Sequence, residues 1–343
     1  MAHGSILCFR AFMSSNVKAL YKTLRSDGSL PRRLVPLVVA GSQRSDAVGS
    51  WLSRENADCP AVLHMTDPTQ QLPWSLDDID FSAIELERVR DDTAMFMLVC
   101  SASFMESGSD TYTGNLVERF AGDDELGSWL REHWEPEELQ HGRALETYAR
   151  HVWPEFDWDA AYAAFFADYS KLCTMDELEP TGGQELAARC IVEMGTTTYY
   201  QALHAACKEP VLRDLAWRIR CDEVRHYKHF HAFFQRYQRA EHLGRHHVLA
   251  ALVRRAIELR REDATIALRH VAEWRRRSPL GRVDGAAVAS SAELIGQAYR
   301  LVSEHLPMDL AVRMALKPLR LSPAVQRFVM RPLSMLGAGI VHP

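Results

Sequence analysis

The chain carries two Glu-x-x-His pairs, each with an acid directly in front: Glu137-Glu138-Leu139-Gln140-His141 and Asp222-Glu223-Val224-Arg225-His226. A Glu and a His three residues apart lie on one face of a helix and can grip one metal ion together. One such match is weak, because about one is expected by chance in a chain of this kind. Here the two matches are the only ones, and both stand in stretches that read as long helices. Metal-bound histidines usually donate their second ring N–H to a carboxylate. Glu137 and Asp222 are therefore expected to hold the imidazoles, each serving the histidine of the opposite helix.

Two lone glutamates extend the set. Glu106 sits late in the mostly apolar run from Cys100 to Tyr112, and Glu193 sits within the run from Ala187 to Tyr200. A carboxylate in such surroundings is costly to bury unless it is paired or bound to metal. The bland alternative is that each points to water from a partly buried helix. The order is Glu106, Glu138 with His141, Glu193, Glu223 with His226, at spacings of 32, 55 and 30 residues from Glu to Glu. Each half has room for one helix and a short connection between the lone Glu and the pair. The longer middle gap leaves room for a crossover. Four such helices make a carboxylate cage for two metal ions.

With those residues in place, the chain resembles the soluble acyl-acyl-carrier-protein desaturases of the ferritin-like di-iron carboxylate superfamily. Trp134-Glu-Pro-Glu-Glu138-Leu-Gln-His141-Gly142 is similar to the family's Trp-x-x-Glu-Glu-x-Arg-His-Gly. Asp222-Glu-Val-Arg225-His226 is similar to its Asp-Glu-x-Arg-His, and Glu193-Met-Gly-Thr196 to its Glu-Arg-Ala-Thr. Glu106 with Asp110-Thr111-Tyr112 resembles the first-helix segment. The resemblance covers roughly residues 90 to 240. Gln140, Ser107 and Met194-Gly195 depart from the pattern; these changes spare the cage but bear on the substrate.

The resemblance implies an all-α fold: a ferritin-like four-helix bundle with a di-metal site, plus additional packed N- and C-terminal helices. It implies two iron ions held by Glu106, Glu138, His141, Glu193, Glu223 and His226. Thr196 is expected beside the dioxygen site, with Asp222 and Glu137 supporting the histidines. Four carboxylates and two imidazoles suit divalent iron, and the open positions would bind dioxygen. The implied activity is oxygen-dependent oxidation or desaturation of an acyl chain, which an acyl carrier protein could present, with electrons from a ferredoxin-type donor. A homodimer is compatible with the class. Competing readings are hydroxylation or amine N-oxygenation, a ferroxidase or iron-handling role, and a non-enzymatic scaffold. N-oxygenases resembling this class place a third histidine where this chain has Ile219. A radical subunit of the ribonucleotide-reductase kind would want a tyrosine near the metals; Tyr112 falls off the Glu106 face.

Charge gives no argument for nucleic-acid binding, since the formal net charge is −5. It is unevenly spread: residues 76–138 carry net −13 and residues 251–343 net +7. A basic C-terminal region could dock an acidic carrier through its field; the plain alternative is arginines on solvated helix faces. Seven cysteines without a Cys-x-x-Cys read as reduced thiols in a cytoplasmic setting. No stretch is long and apolar enough to span a membrane, and the opening residues lack a signal-peptide pattern.

Residues 1–75 read as an N-terminal extension, 76–240 as the bundle and 241–343 as a C-terminal helical extension. Helices are expected at about 83–120, 135–152, 158–172, 184–207 and 210–239. In the tail they are expected at 246–275, 286–305, 309–318 and 322–331. One all-α domain is the favoured organisation, with a separate C-terminal helical domain as the alternative.

Overall fold

The computed structural model describes residues 72–281 except 262, together with 289–330 and 334. The expectations for residues 1–71 lie outside the described residues. Among the described residues every regular element is helical.

Three short 3-10 turns between Leu76 and Arg88 lead into the bundle. Asp92 then starts helix α1 (Thr93–Ser107) by accepting the Met95 N–H, one of the four amide donors that a helix start leaves unpaired. Nearly all of α1 is buried, which fits its unbroken apolar run. The helix expected over 83–120 is therefore three pieces: the turns, α1 and α2 (Ser109–Arg119). The break falls at Gly108, whose N–H turns back to the Met105 carbonyl, and Ser109 Oγ caps the Glu106 carbonyl at 2.8 Å.

Helix α3 (Asp124–Trp129) runs through a π-helical turn, Leu130–Trp134, into α4 (Glu135–Val152), which carries Pro136 in its first turn. Proline costs nothing there because that N–H is unpaired anyway. The π turn widens the backbone just before Glu138, a placement frequent at functional sites. Helix α5 (Trp158–Tyr169) follows, capped by Asp157. Thr181 caps α6 (Gly182–Ala206), and Glu209 caps α7 (Pro210–Ala240) through the Val211 and Leu212 amides.

Four helices surround the centre as two hairpins. Helix α1 packs along α4, and α6 along α7. The first pair is antiparallel: Trp153 Nε1 at the end of α4 donates to the Arg90 carbonyl before α1 at 2.9 Å, while Gly142 near the start of α4 meets Ser107 at the end of α1. A Cβ at position 142 would lie 2.5 Å from Ser107 Oγ and 2.7 Å from its backbone N. Glycine is required at that crossing.

The tail packs on the bundle. Helix α8 (Arg245–Arg261) and α11 (Met308–Leu316) lie against α6. Helix α9 (Asp263–Arg277) covers α1 and α5, and α10 (Ser291–His305) bridges α1 and α6. Tail residues enter both hydrophobic cores, Val271 and Leu294 in one, Leu252 and Met314 in the other. The single helix expected over 246–275 is divided between α8 and α9.

Three of the tail's arginines pair with bundle acids. Arg254 pairs with Glu179, Arg255 with Glu185 and Arg269 with Asp168. Arg275 turns inward over the Phe96 ring. Of these pairs only Arg255–Glu185 is buried; Arg254 and Arg269 are half exposed, where ion pairs contribute little. Cys100, Cys190 and Cys207 are free thiols. Cys221 is disulfide-bonded, which departs from the expected fully reduced set.

Candidate metal centre

Each hairpin brings one lone glutamate and one Glu-x-x-His pair to the bundle interior. Glu106 comes from the last turn of α1, Glu138 and His141 from α4, Glu193 from α6, and Glu223 and His226 from α7. The ligand atoms form two overlapping groups: Glu106, Glu138, His141 and Glu223, and Glu138, Glu193, Glu223 and His226. Within each group they lie within 4.8 Å of one another. All six residues are at least nine-tenths buried, so neither lone glutamate points to water.

The outer imidazole nitrogens face carboxylates of the opposite hairpin. His141 Nε2 lies 2.9 Å from Asp222 Oδ2, and His226 Nε2 lies 2.8 Å from Glu137 Oε2. Arg225 joins the two acids, donating to Asp222 Oδ1 at 2.6 Å and to Glu137 Oε2 at 2.9 Å. These contacts turn both Nδ1 atoms inward. His141 Nδ1 stands 3.4 Å from Glu223 Oε1 and 3.9 Å from Glu106 Oε2. His226 Nδ1 stands 3.0 Å from Glu138 Oε1, 3.7 Å from Glu193 Oε2 and 3.8 Å from Glu223 Oε2.

Four buried atoms of this inner surface lack a hydrogen-bond partner: His141 Nδ1, His226 Nδ1, Glu193 Oε1 and Glu223 Oε1. An unsatisfied buried polar atom costs about 1–3 kcal/mol. Their concentration in one pocket fits a centre completed by cations. The donor set agrees: four hard carboxylates and two imidazoles suit two first-row divalent ions. Two such ions would also balance the four carboxylate charges.

The electrostatics of the bare cage point the same way. Burial, helped by the neighbouring Glu138 and Glu223, pushes Glu106 well above the usual carboxylate range. Burial does the same to Glu193. For the histidines burial opposes the cation, yet the surrounding carboxylates prevail. Asp222 and Glu223 raise His141, and Glu137 and Glu138 lead in raising His226. Glu223 is opposed by burial but held low by both imidazoles. Positive charge is favoured here.

Four contributors were missed in the sequence reading. Trp74, in the segment before the bundle, donates from Nε1 to Asp222 Oδ2 at 2.7 Å. Its ring stacks on His141 with centroids 6.1 Å apart and planes 6° from parallel, and its carbonyl accepts from Gln140 Nε2 at 2.9 Å. Gln140, the departure from the desaturase-like motif, thus secures Trp74. Tyr200, on α6, donates its hydroxyl to Glu106 Oε1. Trp129 and Trp134 set their rings edge-on to His226 at 6.5 and 6.4 Å. A signal existed only for Tyr200, which lies seven residues, two turns, after Glu193.

Thr196 Oγ1 donates to Glu223 Oε2 at 2.6 Å. Tyr112 sits away from the cage, bonded to Glu185 and covered by the Arg189 guanidinium. Ile219 is a buried core residue, as is Cys190, which packs in the other core. His229 stacks on Trp129. Two surface concavities of about 370 and 400 Å³ contain none of the cage residues.

No family of known sequences matches the chain, and no curated protein does. Among solved structures it is similar to two variants of an R2-like ligand-binding oxidase reconstituted with a Mn/Fe cofactor. One is 16% identical, with a TM-score of 0.43, over 68% of this chain and 87% of the other. The second is 15% identical, with a TM-score of 0.45, over 75% and 88%. No helix among the described residues is long and apolar enough to cross a membrane.

Proposed function

We propose that this chain is an oxygen-dependent di-metal oxidase whose centre is held by Glu106, Glu138, His141, Glu193, Glu223 and His226. The observation that carries the reading is the inward-facing set of unpartnered buried atoms in a cage of four carboxylates and two imidazoles. When bound, two redox-active ions would supply dioxygen activation and the oxidising power to attack a C–H bond. Iron is the metal proposed, with a mixed manganese–iron pair as the competing loading.

The protein's own share is positional. Asp222 and Glu137 hold each histidine with Nδ1 turned inward. Thr196 fixes one oxygen of Glu223, the carboxylate common to both ligand groups. Its hydroxyl is the group nearest to act as a proton carrier at that oxygen. The aromatic rings of Trp74, Trp129 and Trp134 and the buried apolar flanks of α1 and α6 keep water from the cage.

The substrate class proposed is an acyl chain, free or thioester-linked to a carrier protein, on the strength of the desaturase-like residues around the ligands. A ferredoxin-type donor would deliver electrons. Exposed arginines on the tail, such as Arg276 and Arg277, offer a modest basic surface for an acidic carrier.

The test is direct. Reduced, metal-loaded protein is offered acyl-carrier, acyl-coenzyme A and amine substrates with an electron-transfer chain, and products are read by mass. Loss of two hydrogens from an acyl chain supports desaturation. Added oxygen moves the reading to hydroxylation or N-oxygenation. Metal oxidation with no organic product in any arm replaces the oxidase reading with a ferroxidase.

A further inference from the structure

The two metal positions are not held alike. We infer, resting on the di-metal reading above, that the position at Glu106 and His141 fills before the position at Glu193 and His226, and that Tyr200 is the positioning residue that sets this order.

At the first position both private ligands are fixed before any ion arrives. His141 is fully buried, and its Nε2 meets Asp222 Oδ2. Asp222 is itself held by Trp74 Nε1 and by Arg225, and Trp74 stacks on the imidazole. Glu106 gives one oxygen, Oε1, to the Tyr200 hydroxyl, which leaves Oε2 facing His141 Nδ1. Tyr200 is 1% exposed. Its ring packs edge-on against Tyr199, whose own hydroxyl donates to the Leu98 carbonyl on α1 at 2.9 Å. The carboxylate of Glu106 is therefore tethered through one oxygen, which restricts its orientation.

At the second position the private carboxylate is loose. Glu193 Oε1 has no hydrogen-bond partner, and its Oε2 stands 3.7 Å from His226 Nδ1. His226 relies on Glu137, which is less deeply buried than Asp222. Glu138 and Glu223 belong to both groups and do not distinguish them. A ligand already fixed in its binding rotamer loses less freedom on binding, so the pre-set position gains affinity. An entropy difference of one side chain corresponds to roughly a tenfold difference in affinity.

The experiment is an anaerobic titration of metal-free full-length protein with Mn²⁺, followed by calorimetry and by electron paramagnetic resonance. In the wild type an isolated Mn²⁺ signal should grow up to one equivalent, then give way to a coupled pair. The first equivalent should bind about ten times more tightly than the second. Glu193→Gln should keep the tight equivalent and lose the weak one; Glu106→Gln should lose the tight one. Tyr200→Phe, which keeps the ring, should bring the two affinities to within about threefold and yield coupled pairs from the first additions. Thr196→Val, which touches a shared carboxylate, should weaken both positions and keep their order. Equal filling in the wild type, loss of the tight equivalent in Glu193→Gln, or a wild-type titration for Tyr200→Phe would overturn the inference. If Tyr200→Phe does not fold, the two glutamine variants still decide the order. Absence of any Mn²⁺ or Fe²⁺ uptake overturns the di-metal reading itself, an outcome unlike any of these.

Discussion

Asp222→Asn is the sharpest probe of how the cage is held. The Asp222 carboxylate accepts three hydrogen bonds: Trp74 and His141 on Oδ2, and Arg225 on Oδ1. Asparagine matches the shape but brings an NH₂ that cannot accept. Placed at the Oδ2 position it would face two donors; placed at Oδ1 it faces only Arg225, so that orientation wins. The loss is one charge-assisted bond to a largely buried guanidinium, about 1.5–3 kcal/mol. Arg225 keeps Glu137 as its partner, which limits the penalty to that range. His141 retains an acceptor but a neutral one, so its imidazole becomes a weaker ligand. Metal affinity should fall roughly ten- to a hundredfold, or about 1.4–2.7 kcal/mol. The assays are urea unfolding of metal-free protein and metal titration of the folded variant. Asp214→Asn is the control, since Asp214 forms an exposed pair with Arg218 and such pairs contribute at most about 1 kcal/mol. If Asp222→Asn cannot be told from that control in either assay, the hydrogen-bond reasoning is wrong.

Gly142→Ala should destabilise by about 1–3 kcal/mol by overpacking and weaken metal binding, because the new Cβ strikes the Ser107 backbone next to Glu106; unfolding midpoints and metal stoichiometry check both. Glu138→Ala should abolish binding at both positions and His226→Ala at one, read by elemental analysis after reconstitution. His231 is buried beside Tyr227, and burial with the nearby Lys317 and Arg320 pushes it down to about 4. Its folded value lies below its unfolded value of about 6.5, so the fold prefers the neutral ring. Stability should be full above about pH 6.5 and decline by about 2–4 kcal/mol in total as the pH falls toward 4. His231→Gln should flatten that part of the stability profile, and a slope identical to wild type would count against the assignment.

The sequence by itself nominated the six cage residues and the helical character of the segments that carry them, because helical period and ligand chemistry are both local. A Glu and a His three apart must share a face once the segment is helical. A carboxylate in an apolar run needs a partner wherever the run packs. The cross-pairing of His141 with Asp222 and His226 with Glu137 was expected from the usual carboxylate partner of a metal-bound histidine, but only the packed helices bring each acid to the opposite imidazole. Helix breaks were less legible. Gly108 ends α1 through a backbone bond to Met105, which no periodicity announces. Tertiary structure alone decided that Trp74 closes on His141 and Asp222 across 148 residues of chain. It alone also placed Tyr200 on Glu106 and set Arg254 and Arg255 of the tail against bundle acids. Those contacts depend on how separate helices are aligned when their apolar faces are buried, and that alignment is a property of the whole packed core rather than of any one segment.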